Sequence, residues 1–172
     1  MLKRLGLHRL FGRSVNAERD QQATVDPPLR NLWIRPNPGT LILIIDDSKT
    51  TQAVVAKKLR QQGYDCLAAY DGESGIELAR QHTPALILMD VIMPGINGFQ
   101  ATRLIRRDER ISQTPVVIMS GNKEATDQFW SIKIGANDFM IKPFTDDDLF
   151  SSIEKCLYPG AHNDTQLATE PA

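Results

Sequence analysis

Leu41-Ile42-Leu43-Ile44-Ile45-Asp46-Asp47 sets five consecutive aliphatic residues against two carboxylates. A short apolar run bounded by turn signals reads as a strand buried on both faces, as in a parallel sheet. The pattern recurs along the chain. Ala85-Leu86-Ile87-Leu88-Met89 runs into Asp90, Val116-Val117-Ile118-Met119 into Ser120, and Phe139-Met140-Ile141 into Lys142 and Pro143. In an open α/β sheet, ligands bind outside the carboxyl ends of the strands. Asp46, Asp47, Asp90, Ser120 and Lys142 are therefore expected to converge on one edge. Three clustered carboxylates repel one another and need a cation. Mg²⁺ suits oxygen ligands and keeps waters that a phosphate can displace. The ammonium and the hydroxyl suit an anion arriving beside the metal.

Between the runs the sequence alternates strand with helix. The first strand, at about 41–46, leads to a helix at about 49–62 closed by Gly63. A strand at about 64–69 precedes Asp71-Gly72 and a helix at about 73–82, which Pro84 stops. After Asp90 a loop leads to a helix at about 98–107, and Pro115 opens the fourth strand. A helix at about 123–134 stops at Gly135, the fifth strand covers about 137–141, and Thr145 caps a last helix with Asp147 and Asp148 in its first turn. The expected fold is α/β, five βα units doubly wound with right-handed crossovers.

Composition agrees with one globular domain: 172 residues, 41% apolar and 24% charged. The net charge of −1 is uneven. Residues 1–38 carry seven Lys/Arg against three Asp/Glu, and the rest is acidic, which argues against a nucleic-acid-binding core. No run of 18 apolar residues exists, so no membrane span is expected, and the basic start is too interrupted for a secretory signal. Cys66 and Cys156 read as buried free thiols, and His8, His82 and His162 as surface residues. Three segments are expected: a basic, proline-containing and mostly disordered extension at 1–38, a domain at 39–158, and a disordered tail at 159–172. Within the extension Trp33-Ile34 is expected to pack back on the domain, and contact of the basic arm with a membrane surface is the alternative to a plain tail.

Ile45-Asp46-Asp47-Ser48, Met89-Asp90-Val91-Ile92-Met93-Pro94-Gly95, Met119-Ser120-Gly121 and Lys142-Pro143-Phe144, in this order, resemble the receiver domain of two-component response regulators over about residues 40–158. The stretch from Met93 to Arg103, with Thr126-Asp127 and Trp130, looks more specifically like the PilH type of twitching-motility regulator. The resemblance implies a flavodoxin-like sheet of strand order 2-1-3-4-5. It also implies that Asp90 accepts a phosphoryl group from a histidine kinase. Asp47 would bind Mg²⁺ directly and Asp46 mainly through water, with Asp90 and the backbone carbonyl of Ile92 completing the ligands. Lys142 would pair with the phosphoryl oxygens. Ser120 and Phe139 would form the switch, altering the face of the fourth helix, fifth strand and last helix where a downstream protein docks. Phe139 lacks a hydroxyl, so the switch runs on packing. In the family the positions of Ile92 and Asn122 tune hydrolysis. Ile92 cannot orient a water and Asn122 could do so only weakly, which implies a phosphoryl lifetime longer than in the quickest chemotaxis regulators.

The expected protein is thus a cytoplasmic, stand-alone receiver, a phosphoacceptor rather than an enzyme, without a nucleic-acid partner. It acts by phosphorylation-dependent contact or as a phosphate sink, in pilus motility or chemotaxis. Two other classes share parts of this pattern. A Mg²⁺-dependent aspartyl phosphohydrolase needs a general acid two residues past its nucleophile, where Ile92 stands. A phosphorylation-independent scaffold, localised through the N-terminal arm, needs only the fold.

Overall fold

The computed structural model describes residues 33–121 and 133–160. Nine elements follow in order: β1 (Leu41–Ile45), α1 (Lys49–Gln61), β2 (Asp65–Ala69), α2 (Gly72–His82), β3 (Leu86–Asp90), α3 (Gly98–Arg107), β4 (Val116–Ser120), β5 (Asp138–Ile141) and α4 (Asp146–Leu157). The helix expected at about 123–134 lies almost wholly outside the described residues. So do Asn122, Trp130, His8, His162, the arm at 1–32 and the tail from 161.

The sheet is parallel throughout, in the order β2-β1-β3-β4-β5. Every residue of β3 and β4 is buried, whereas the edge strands β2 and β5 are only partly covered. That gradient is why the central strands read as unbroken apolar runs. Alternate residues serve opposite faces. Ile42, Ile44, Leu86, Leu88, Val117 and Met119 pack with Val55 and Leu59 of α1 and Phe150 and Ile153 of α4. Leu43, Ile45, Ile87, Met89, Val116 and Ile118 pack with Ile76 and Ala79 of α2 and Ala101 and Ile105 of α3.

Local chemistry fixes the ends. Ser48 caps α1, Asp71 caps α2, and Asn97 and Thr145 open α3 and α4 with reciprocal capping boxes. Gly63, at φ +95°, takes the left-handed turn that ends α1, a conformation other residues rarely adopt. At the edge where the strands begin, Arg106 of α3 donates to the carbonyls of Ser112, Thr114 and Gly135 and to the Asn137 side chain at 2.7–2.9 Å. Both cysteines are free and half-buried, and His82 is exposed. Among the described residues no helix is long and apolar enough to cross a membrane.

Candidate functional site

The order of the strands decides where a site forms. β1 and β3 are neighbours, and the chain leaves them in opposite directions across the sheet, toward β2 and toward β4. Their carboxyl ends border the crevice typical of such folds. Asp46 and Asp47 follow β1, and Asp90 ends β3. One carboxylate oxygen from each lies within 4.8 Å of the others, Asp46 fully buried, Asp90 6% exposed and Asp47 exposed. Lys142 arrives from the end of β5. Its Nζ stands 2.6 Å from Asp46 Oδ2 and 2.8 Å from Asp90 Oδ1. The Lys142-Pro143 bond is cis.

Asp46 is the pivot of this cluster. Its Oδ1 accepts from the Ser48 amide at 2.9 Å, so both oxygens are engaged before any ligand arrives. The helix cap itself is Ser48, whose Oγ accepts from the Thr51 amide. Asp46 is therefore not the cap of α1. Asp47 makes no hydrogen bond or ion pair with the described residues, and its oxygens are open to a ligand. An all-oxygen donor set with one exposed and two buried carboxylates fits Mg²⁺, which binds through few carboxylates and retains water.

Burial pushes the Asp90 carboxyl above the usual carboxylate range, against the pull of Lys142 and the Val91 amide. Burial alone would lower Lys142, but its bonds to Asp46 and Asp90 outweigh that and keep the ammonium above its ordinary value. The lysine stays charged, and a buried carboxylate beside a fixed cation is suited to receiving an electrophilic anion.

Ser120 closes β4, 1% exposed, with its carbonyl accepting from the Lys142 amide at 2.7 Å. It thus shares an edge with Asp90 and Lys142, as expected. Phe139 is half-buried and packs on the α2/α3 side of the sheet, opposite Ile118 in register. Ile92 lies two residues past Asp90 with 71% of its surface exposed.

Three contributors escaped the sequence reading. Gln52 of α1 is buried and donates to the carbonyls of Asp46 and Ala69, each at 2.7 Å, pinning the end of β1 to the end of β2. The signal was a polar side chain on the stripe formed by Val55, Ala56 and Leu59. Gly98 touches the backbone of Asp90 where any side chain would collide. Glu73 accepts from the Ile96 amide at 3.3 Å and steadies the loop after Asp90.

Comparison with known proteins agrees with this geometry. The family model described as response regulator receiver domain matches residues 42–154. The protein PilH of Pseudomonas aeruginosa is 40% identical over 116 residues, 67% of this chain and 96% of PilH. The receiver domain of the sensor histidine kinase PA1611 from Pseudomonas aeruginosa PAO1, solved with a magnesium ion in its active-site cleft, superimposes with a TM-score of 0.65 at 29% identity, covering 69% of this chain and 98% of that one. The chemotaxis protein CheY4 of Vibrio cholerae shares the fold, with a TM-score of 0.66 at 24% identity over 69% of this chain and 99% of that one.

Proposed function

The chain belongs to the response regulator receiver domain family, and from that premise we propose that it is a phosphorylation switch whose acceptor is Asp90. The observation that carries this reading is the position of Lys142, bridging Asp46 and Asp90 within a cluster of three carboxylates. A carboxylate oxygen of Asp90 attacks the phosphorus of a phosphohistidine on a histidine kinase. The new O–P bond forms as the donor P–N bond breaks, and the electron pair leaves on the imidazole nitrogen. Phosphoryl transfer asks little of a protein beyond alignment and charge neutralisation. Asp46, Asp47, Asp90 and the Ile92 carbonyl would hold Mg²⁺, which supplies positive charge beside the transferring oxygens.

Lys142 can then exchange its Asp90 contact for a phosphoryl oxygen while keeping Asp46. Ser120 donates its hydroxyl to the same group, and Phe139 repacks behind it. The outcome is a changed surface along β5 and α4, read by a partner protein. The likeness to PilH favours a role in pilus motility or a chemotaxis-like pathway, as signal carrier or phosphate sink. The chain is a cytoplasmic phosphoacceptor and not a multiple-turnover enzyme.

Intact-mass analysis after incubation with Mg²⁺ and acetyl phosphate tests this. The parent gains one phosphoryl mass and Asp90→Asn gains none. A folded parent that stays unmodified overturns the reading and leaves a phosphorylation-independent scaffold.

A further inference from the structure

The family match begins at residue 42, yet the chain grips the domain from Trp33 onward. The Trp33 ring lies 5.4 Å from that of Phe150 in α4, tilted by 44°. The next amide, that of Ile34, donates to the carboxylate of Glu154, one helical turn on and only 4% exposed. Pro36 lies against Gly63, and Thr40 turns the chain into β1 by donating twice to the Asn37 carbonyl. Trp33–Pro36 thus forms a strap that runs from α4 to the turn after α1, at the edge where the strands begin, away from the carboxylates.

The other end of α4 lies at the site. Asp146 follows Lys142 by four residues, with only Pro143, Phe144 and the cap Thr145 between them. The flank of α4 toward β5 is fastened by Ser152 and Lys155, which bond Asp138 at 2.8 and 2.9 Å. A helix of 12 residues is about 18 Å long and moves as a unit. It therefore links the strap to the loop that carries the lysine.

We propose that Trp33–Pro36 is a positioning strap: through α4 it sets how firmly Lys142 is held against Asp46 and Asp90. The N-terminal extension becomes a second input to the site, because loosening the strap loosens the lysine. Linkage requires the converse, that a change in the hold on Lys142 alters protection of the Ile34 amide. The inference rests on the placement of Lys142 and not on the phosphoryl reading, so either can fail alone.

The test uses the full chain with Trp33→Ala and Trp33→Phe. Hydrogen exchange is followed at Ile34 and along α4, together with the rate at which an amine-acylating reagent labels Lys142, with Lys49 as internal reference. Loss of one aromatic pair predicts roughly two- to tenfold faster exchange at Ile34 and α4 and a comparable rise in Lys142 labelling. The phenylalanine variant returns both toward the parent. If Trp33→Ala fails to fold, Glu154→Gln weakens the same grip with its shape retained, since a neutral oxygen accepts less strongly. Faster exchange at Ile34 with Lys142 labelling at the parent rate overturns the proposal. So does unchanged exchange at Ile34 in the alanine variant.

Discussion

A Cβ on Gly98 would lie 2.0 Å from the carbonyl oxygen of Asp90. Neither backbone has room to yield. The Gly98 amide donates to the Val91 carbonyl at 3.0 Å, and the Gly98 carbonyl accepts from Thr102 Oγ1 at 2.7 Å. The first residue of α3 thus presses on the main chain of Asp90, the proposed phosphoacceptor, and only glycine permits the contact. Gly98→Ala is expected to cost about 2–3 kcal/mol of stability, the upper part of the range for an overpacked site. In the folded fraction it should also slow phosphoryl uptake by Asp90. Urea unfolding and intact-mass time courses measure the two effects. A variant as stable as the parent would mean that the turn after Asp90 shifts at no cost.

Gln52 supports the site from behind. Its amide nitrogen holds the carbonyls of Asp46 and Ala69 together, and the Asp46 side chain is in turn fixed by Ser48 and Lys142. Gln52→Leu keeps the side-chain bulk and leaves both carbonyls without that donor. Groups behind a metal's ligands typically matter at the level of 10–100-fold in affinity, so Mg²⁺ binding is expected to weaken by about tenfold or more. Titration of Mg²⁺ against the parent and the variant reads this directly. Equal affinities would show that the β1 end holds its shape without Gln52.

The reach of the sequence had physical limits. The runs of β1, β3 and β4 were legible because strands covered on both faces must be apolar throughout, and the polar residues that end or follow them then had to share one edge. Gly63, Thr145 and Asp148 could be placed because capping is a local matter of a few residues. Lys142 was expected near a phosphoryl group, yet its two ion pairs, to residues 96 and 52 positions earlier, are tertiary facts. Gln52 and Gly98 were missed for the same reason: their partners are backbone atoms of other elements, which no side-chain pattern announces. Trp33 was legible as a sticky residue, but the identity of Phe150 as its partner was not.

The cysteines give a pH-dependent signature. Burial, helped by Asp138 and opposed by Lys155, pushes the Cys156 thiol from 9.0 up to about 11. A folded-state value above the unfolded one contributes stability that is complete below pH 9.0 and is lost as pH rises toward about 11. Burial raises Tyr64 in the same direction, so part of the alkaline loss belongs to it. Denaturant midpoints are therefore expected to fall across that window, and Cys156→Ala should flatten part of the fall. The thiol should also be alkylated more slowly in the native than in the denatured chain at pH 9, because the thiolate is the nucleophile. Equal alkylation rates in the two states would contradict the burial argument.

On the proposed reading, Ile92 bears on how long the phosphoryl group survives. It stands two residues past Asp90, 71% exposed, with no polar side-chain atom to hold a water in line with an acyl phosphate. Hydrolysis of that bond depends on positioning the attacking water, and effects of orientation on rate are large. Ile92→Asn places an acceptor and two donors there and is expected to shorten the phosphoryl lifetime by roughly threefold or more. Since the side chain is exposed, stability should stay within about 0.5 kcal/mol of the parent, which separates the chemical effect from a folding defect. Decay of the phosphorylated mass after removal of the donor gives the lifetime. If parent and variant decay alike, the rate is set by groups other than the side chain at 92, and the longer lifetime expected from Ile92 loses its basis.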